Sequence, residues 1–449
     1  MKQVLLSERS YVPEVTRDDH SIAYVRRMGF RRRQLVLASL TANAIRPVPG
    51  FRISFPVFFA GWLTGELAPH LLAATVADST GHLTSRSSRR DPVGLVISAA
   101  TTAGLGFLIA QSRRSGEVAE AALAEALGED YQDVLDARPT PAELATPWRS
   151  LIYPFRIKGS GVVVDRDIAY NHHGRRGFLD VYRPAEPRTD APVLLQVHGG
   201  AWTIGKKEQQ GLPLMKHLAA KGWVCVAINY RLAPRDPFPA HIIDVKQAIA
   251  WIRDNIAAYG GDPDYIAITG GSAGGHLAAL AALTAADNTW QPGFEDADTS
   301  VQCAVPHYGA YDFAGISNVA SATLMRDTFL GPRVLATSYD ADPAAFEAAS
   351  PLARITPEAP DFFVLHGARD SLIDVRQARM LVERLRATSE QSVVYVELPG
   401  AQHAFDIFPS IRSAHVVRAI DRYLHWHWNT WRAGRDHSAE LTEAPPSPD

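Results

Sequence analysis

Three residue types that recur in nucleophilic acyl transfer stand at three separated points of this chain, each just past a run that reads as a β-strand. Ser272 sits inside Gly270-Gly271-Ser272-Ala273-Gly274, after the apolar run Tyr265–Ile268 and before an alanine-rich stretch. Strand, tight turn and helix with a serine at the apex form a nucleophile elbow. Such a turn needs glycines because Cβ atoms at Gly270 and Gly274 would collide with the neighbouring strand and helix. A serine hydroxyl is a weak nucleophile until a base takes its proton and a third group orients that base. Asp370 follows the strand-like run Phe362–His366, and His403 follows a second such run from Val393 to Leu398. The order Ser272, Asp370, His403 gives nucleophile, orienting acid and base. Asp374 competes for the acid role but reads better as the cap of a helix starting near Val375. His366 falls within a strand and reads as buried structure. His276 lies too near Ser272 in sequence to swing onto it.

Charge develops on the substrate oxygen during acyl transfer, and backbone N–H groups aimed at it supply much of the catalysis. The run Pro192–Val197 ends in His198-Gly199-Gly200-Ala201-Trp202. The expected oxyanion hole is Gly199 and Gly200 together with Ala273.

These strings resemble the hormone-sensitive-lipase-like branch of the α/β-hydrolases, its bacterial esterases in particular. Asn229-Tyr230-Arg231-Leu232-Ala233-Pro234, Phe238-Pro239-Ala240 with Asp244 beyond, and Gly260-Gly261-Asp262-Pro263 extend the resemblance over residues 150–430. Two positions depart from it. Ala201 stands where the family usually has a third glycine, and Gly271 where its elbow commonly has aspartate. Gly-Gly-Ser-Ala-Gly-Gly is also similar to carbohydrate acetyl esterases and arylformamidases. The resemblance implies a mainly parallel, eight-stranded sheet with helices on both faces, and hydrolysis of a small or lipid-like carboxylic ester through an acyl-enzyme. Amide or formamide hydrolysis by the same triad is the alternative within enzymes. A binding protein on a hydrolase fold is the alternative outside them.

The elements that must position these residues are legible as alternating runs. Strand-like segments recur at 162–170, 178–182, 192–197, 223–229, 265–269, 301–308, 362–366 and 393–398. Helical spacing separates most of them from the third onward, the pattern of a doubly wound parallel sheet. The segment from Tyr308 to Phe362 is long enough to read as an excursion over the active site. Cys225 and Cys303 lie in apolar runs and read as core packing, not as a disulfide or metal pair. No metal-ligand spacing or phosphate-binding loop is present in the sequence, so no cofactor is expected.

Charge is unevenly divided. Residues 1–114 hold fifteen Lys/Arg against seven Asp/Glu, and the remainder thirty against forty-one. This balance suggests no nucleic-acid partner. The first ten residues lack the apolar core of a secretory signal. Pro92 to Gln111 is uncharged over twenty residues and flanked by arginines, enough to cross a bilayer. Ile53 to Ala77 is apolar but interrupted by Glu66, which makes it a span facing a partner helix, a re-entrant piece or a buried helical pair. The expected organisation is a basic, apolar, membrane-associated region over 1–114, then a linker with a cap helix near Glu117–Val134 over 115–150. The hydrolase follows over 151–432, and a disordered tail over 433–449. Two spans would place Arg26, Arg27 and Arg31–Arg33 on the side of Arg113 and Arg114, and positive-inside counting then puts the hydrolase in the cytoplasm.

Overall fold

The computed structural model describes residues 29–443 apart from 86–90, 158, 160 and 187. Its centre is an eight-stranded sheet: β1 (Val162–Ala169), β2 (Phe178–Pro184), β3 (Ala191–Val197), β4 (Val224–Ile228), β5 (Gly261–Gly271), β6 (Cys303–His307), β7 (Asp361–Gly367) and β8 (Val393–Leu398). The strand order is β1-β2-β4-β3-β5-β6-β7-β8. β2 runs antiparallel to both its neighbours, and the pairs from β4 to β8 are parallel. Every residue of β3, β4 and β6 is buried, which is why these strands read as unbroken apolar runs and not as alternating ones. The mainly parallel α/β-hydrolase sheet expected above is thus present, with β8 on its expected residues.

Helices cover both faces. On one face α6 (Ala240–Asn255), α7 (Ala273–Leu283) and α8 (Arg376–Thr388) pack Ile242, Ile249, Leu277 and Leu381 onto the sheet. The other face is covered by α5 (Leu212–Ala220) and α9 (Ile411–Glu443), through Leu218, Ile420 and Tyr423. Cys225 and Cys303 are free and buried in that second layer. The carboxyl ends of the parallel strands β3–β8 lead toward one edge, where Ser272, Asp370 and His403 follow β5, β7 and β8.

Among the described residues four helices of more than ten residues precede the sheet: α1 (Phe30–Ile45), α2 (Ser54–Glu66), α3 (Ala68–Thr84) and α4 (Pro92–Leu127). Three expectations change here. First, α4 runs unbroken across residue 114. Arg113 and Arg114 end the apolar run but not the helix, whose second half packs Ala119 and Leu123 against α9 and β8. The amphipathic stretch near Glu117–Val134 is therefore the continuation of α4 and a separate turn at Tyr131–Val134, with Tyr131 donating to Glu120 at 2.8 Å. Second, α9 stays helical through Glu443, into the stretch expected to be disordered; the last six residues lie outside the described ones.

Third, the arginine-rich start of α1 is at the other end of the helical layer from Arg113. Arg31 pairs with Asp91 at 2.8 Å, and Phe30 stacks on His82 with ring centroids 4.1 Å apart. The expected grouping of Arg31–Arg33 with Arg113 and Arg114 fails because α1 is a further helix, antiparallel in its course to what the two-segment pattern assumed, whose start meets Asp91 at the opening of α4. Arg26 and Arg27 lie outside the described residues. The interrupted segment 53–77 forms a helical pair broken at Leu67 between α2 and α3, but it is not the buried pair of the third alternative: in α3 only Ala68 and Thr75 are buried. Glu66 is not exposed to a bilayer: its carboxylate pairs with Arg412 and accepts from Ser410 Oγ at 2.6 Å, tying α2 to the start of α9. Among the described residues one helix, α4, is long and apolar enough to cross a membrane.

Candidate active site

β5 delivers Ser272 in a conformation an L-residue rarely adopts, φ 59° and ψ −120°. Such strain persists only where the surroundings over-determine it. Ser272 N–H donates to His307 O at 3.0 Å, and Ser272 O accepts from His276 N–H at 2.9 Å to open α7. A Cβ on Gly270 would lie 2.5 Å from Val197 O and 2.6 Å from the Gly274 carbonyl carbon; one on Gly274 would meet the same Val197 oxygen. Only glycines let β3, β5 and α7 converge this closely. Ser272 is half-buried.

The Asp370 side chain is fully buried and all its acceptor capacity is used. Oδ1 accepts from Leu372 and Ile373 N–H, both at 2.9 Å, while Oδ2 lies 2.7 Å from His403 Nδ1 and 3.2 Å from His366 Nε2. Burial opposes its charge, but His403 and His366 outweigh burial and hold the carboxyl well below the usual carboxylate range. Asp374 is elsewhere: it stands one residue before Val375, the N-cap of α8, accepts from Arg376 N–H at 3.0 Å and pairs with the Arg376 guanidinium at 2.6 Å. His366 is buried, as expected, and its Nε2 also lies 3.0 Å from Ile373 O, so it braces Asp370 from below. His276 is remote from this pair, held between Trp202 Nε1 at 3.1 Å and Ala349 O at 2.8 Å.

The oxyanion loop corrects one expected donor. Gly199 N–H donates to Gln210 Oε1 at 2.7 Å and is not free for a ligand. Gly199 instead lets the loop approach the elbow, since a Cβ there would lie 2.5 Å from Gly271 O and 3.2 Å from Ser272 Cβ. Among the described residues no acceptor takes the N–H of Gly200 or Ala201. Ala273 opens α7, where a first-turn N–H has no intrahelical acceptor. Gly200 has φ 124° and Ala201 φ 51°, the turn that exposes these two amides.

Residues 179–385 match the BD-FAE family model. The chain is 42% identical to the probable carboxylic ester hydrolase LipM of Mycobacterium tuberculosis over 430 residues, 92% of this chain and 97% of that protein. The esterase LipQ of the same organism is also 42% identical, over 86% of this chain and 89% of its own length. The chain belongs to this family of α/β-hydrolase carboxylic ester hydrolases. Esterase B from Lactobacillus rhamnosis aligns with a TM-score of 0.53 at 18% identity over 71% of this chain and 99% of that one, which shows the shared fold.

The esterase carries a support around this site that motif reading did not find. Asp406, three residues past His403, lies 2.5 Å (Oδ2) from His307 Nδ1 and accepts on Oδ1 from the Tyr308 hydroxyl. The Tyr308 ring stands 4.6 Å from that of His403, while a Cβ on Gly271 would fall 2.5 Å from the Tyr308 hydroxyl. The phenol therefore fills the space beside Gly271, and Asp406 meets it there with a carboxylate from another loop. Gln402 Oε1 accepts from Ser371 N–H at 2.6 Å and His403 N–H at 2.9 Å, joining the aspartate and histidine loops. From the N-terminal helices, Phe58 of α2 meets the His403 ring edge-on at 5.7 Å.

Proposed function

We propose that Ser272, His403 and Asp370 form the catalytic triad of this ester hydrolase. The observation that carries the reading is the 2.7 Å bond from His403 Nδ1 to a buried, ionised Asp370. A carboxylate acceptor puts the imidazole proton on Nδ1 and leaves Nε2 free as a base. Nε2 takes the Ser272 proton as Oγ attacks the acyl carbon, and the carbonyl oxygen becomes an oxyanion held by the Gly200, Ala201 and Ala273 amides. The imidazolium then gives its proton to the departing alkoxide, leaving an acyl-enzyme and a free alcohol. A water, deprotonated by the same Nε2, attacks the acyl carbon and releases the acid, with Ser272 recovering its proton.

The substrate is a hydrophobic ester, because the rings packed against His403 are those of Phe58 and Tyr308, and the oxyanion loop presents the exposed apolar Ile204. Its source is a membrane, with which the apolar N-terminal helices associate. Steady-state kinetics on p-nitrophenyl esters from acetate to palmitate, beside an aryl formamide, test the reading. The expected result is higher kcat/KM for medium or long chains than for acetate, and little formamide turnover. Preference for the formamide or the acetate would refute this substrate class.

A further inference from the structure

The N-terminal helices are built inside out. On α4 the buried positions include Gly94, Ser98, Thr101, Ser112 and Ser115, whereas Val93, Val96 and Phe107 are exposed, Val96 by 70%. α3 repeats the inversion. Its Asp78 turns inward to Gln34 Nε2 at 2.8 Å and Arg33 at 2.7 Å, and Ser79 Oγ sits 2.5 Å from Ser98 Oγ. Its outward residues include Ala73, Val76, Ala77 and Leu83. On α1, Gln34 and Thr41 are buried while Leu35 and Val36 are exposed. A helical layer facing water shows charge outward and apolar side chains inward. Small and hydroxylated residues at helix contacts, inward polar groups with partners and an apolar exterior are what hydrocarbon selects.

The dimensions and flanks agree. The twenty uncharged residues from Pro92 to Gln111 span about 30 Å, the seventeen of α3 about 25 Å and the sixteen of α1 about 24 Å, so α4 alone has the full length and α1 and α3 cross beside it only with local thinning of the bilayer. At the catalytic end Trp148, Tyr153 and Phe155 are exposed beside Arg149 and Arg156, the residue types that anchor at an interface. Phe155 stacks toward Phe408 at 5.2 Å, and Phe408 toward Trp62 of α2 at 5.4 Å, so this girdle is continuous with the helix that touches His403.

We propose that α1, α3 and α4 cross the bilayer as a three-pass bundle, its arginine-rich end in the cytoplasm and the hydrolase on the opposite side. This rests on the membrane reading above and fixes its direction. The ends of α1, α3 and α4 that meet at Arg31 and Asp91 carry Arg31, Arg32 and Arg33. In the sequence, Arg17, Arg26 and Arg27 precede them, and Arg86, Arg89 and Arg90 lie between Ser85 and Asp91. The opposite end has Arg46, Arg52, Arg113 and Arg114. With Arg149 and Arg156 counted at that end, nine against six sets the cytoplasmic side at the former. The active site then opens on the far leaflet, with α2 lying between lipid and His403.

Cys225 and Cys303 are buried and free, so introduced cysteines report alone on the folded chain. Glu390→Cys, exposed on the hydrolase, and Thr84→Cys, exposed at the end of α3, are each expressed in the full chain. Spheroplasts are treated with a membrane-impermeant maleimide before and after permeabilisation, and membranes are washed with alkaline carbonate. The expected result is carbonate-resistant protein, with Glu390→Cys labelled in intact spheroplasts and Thr84→Cys labelled only after permeabilisation. The reverse pattern, both labelled before permeabilisation or both only after it, would overturn the topology while leaving membrane association standing. Recovery in the soluble fraction, as monomer or as a dimer covering the apolar face, would overturn the membrane reading itself.

Discussion

Gly271→Ala tests whether the elbow's unusual glycine exists to admit Tyr308. The added methyl carbon would lie 2.5 Å from the phenolic oxygen and 2.8 Å from two ring carbons, inside any tolerated contact. Either the ring shifts, weakening its bond to Asp406, or the elbow does. Overpacking a tight core costs about 1–3 kcal/mol. Tyr308→Phe alone removes the hydrogen bond to a charged group, worth about 1.5–3 kcal/mol, and leaves Asp406 with His307. In the double variant the closest clashing atom is gone, while two contacts at 2.8 Å persist. The two costs should therefore fall short of additivity by about 1 kcal/mol or more. Urea unfolding of the four proteins measures the coupling. Strict additivity, or a Gly271→Ala protein as stable as the parent, would show that Tyr308 does not dictate glycine at this position.

Three further outcomes are expected. Asp370→Asn keeps the shape of the acid loop but stabilises the wrong imidazole tautomer, so kcat should fall by about ten-thousand-fold with little change in KM; a loss below tenfold would point to another orienting acid. Glu66→Gln leaves the buried Arg412 guanidinium without a counter-charge and should cost about 3–5 kcal/mol in urea unfolding, whereas Glu66→Leu with Arg412→Met should recover most of it. His198, His241 and His276 are pushed down by burial to about 4, about 3 and about 4. Between about pH 6.5 and 4 the unfolded chain therefore binds protons that the folded chain refuses. Stability should fall with pH across that window, by up to about 1.4 kcal/mol per pH unit for each histidine, and a flat profile would contradict neutral burial.

Much of this architecture was legible because its signals are local. A fully buried parallel strand is a short apolar run, and a serine elbow is five consecutive residues, so β3, β5 and the turn at Ser272 follow from neighbours in sequence. The supports were not legible because they join distant residues. Asp406 serves His307 and Tyr308 from nearly a hundred residues away, and the meaning of Gly271 lies in a phenol on the next strand. Nor does a motif reveal that Gly199 N–H is taken, since Gln210 is identified as its acceptor only by the loop's path. In the N-terminal region Arg113 and Arg114 mark where apolar composition stops, and nothing in composition says that the helix continues. The unread helix α1 has the same origin. The start of α1 is basic and gives a weak apolar signal, and only its packing against His82 and Asp91 sets its direction.

Covalent trapping shows whether Ser272 is the nucleophile of this esterase. The full-length protein is treated with an alkyl phosphonate ester, digested and analysed by mass spectrometry while residual esterase activity is followed. One adduct per chain on the Ser272 peptide, formed in step with loss of activity and absent from Ser272→Ala, is the predicted result. Stoichiometric adduct on any other residue, or a Ser272→Ala protein that still turns over esters at the parent rate, would contradict it.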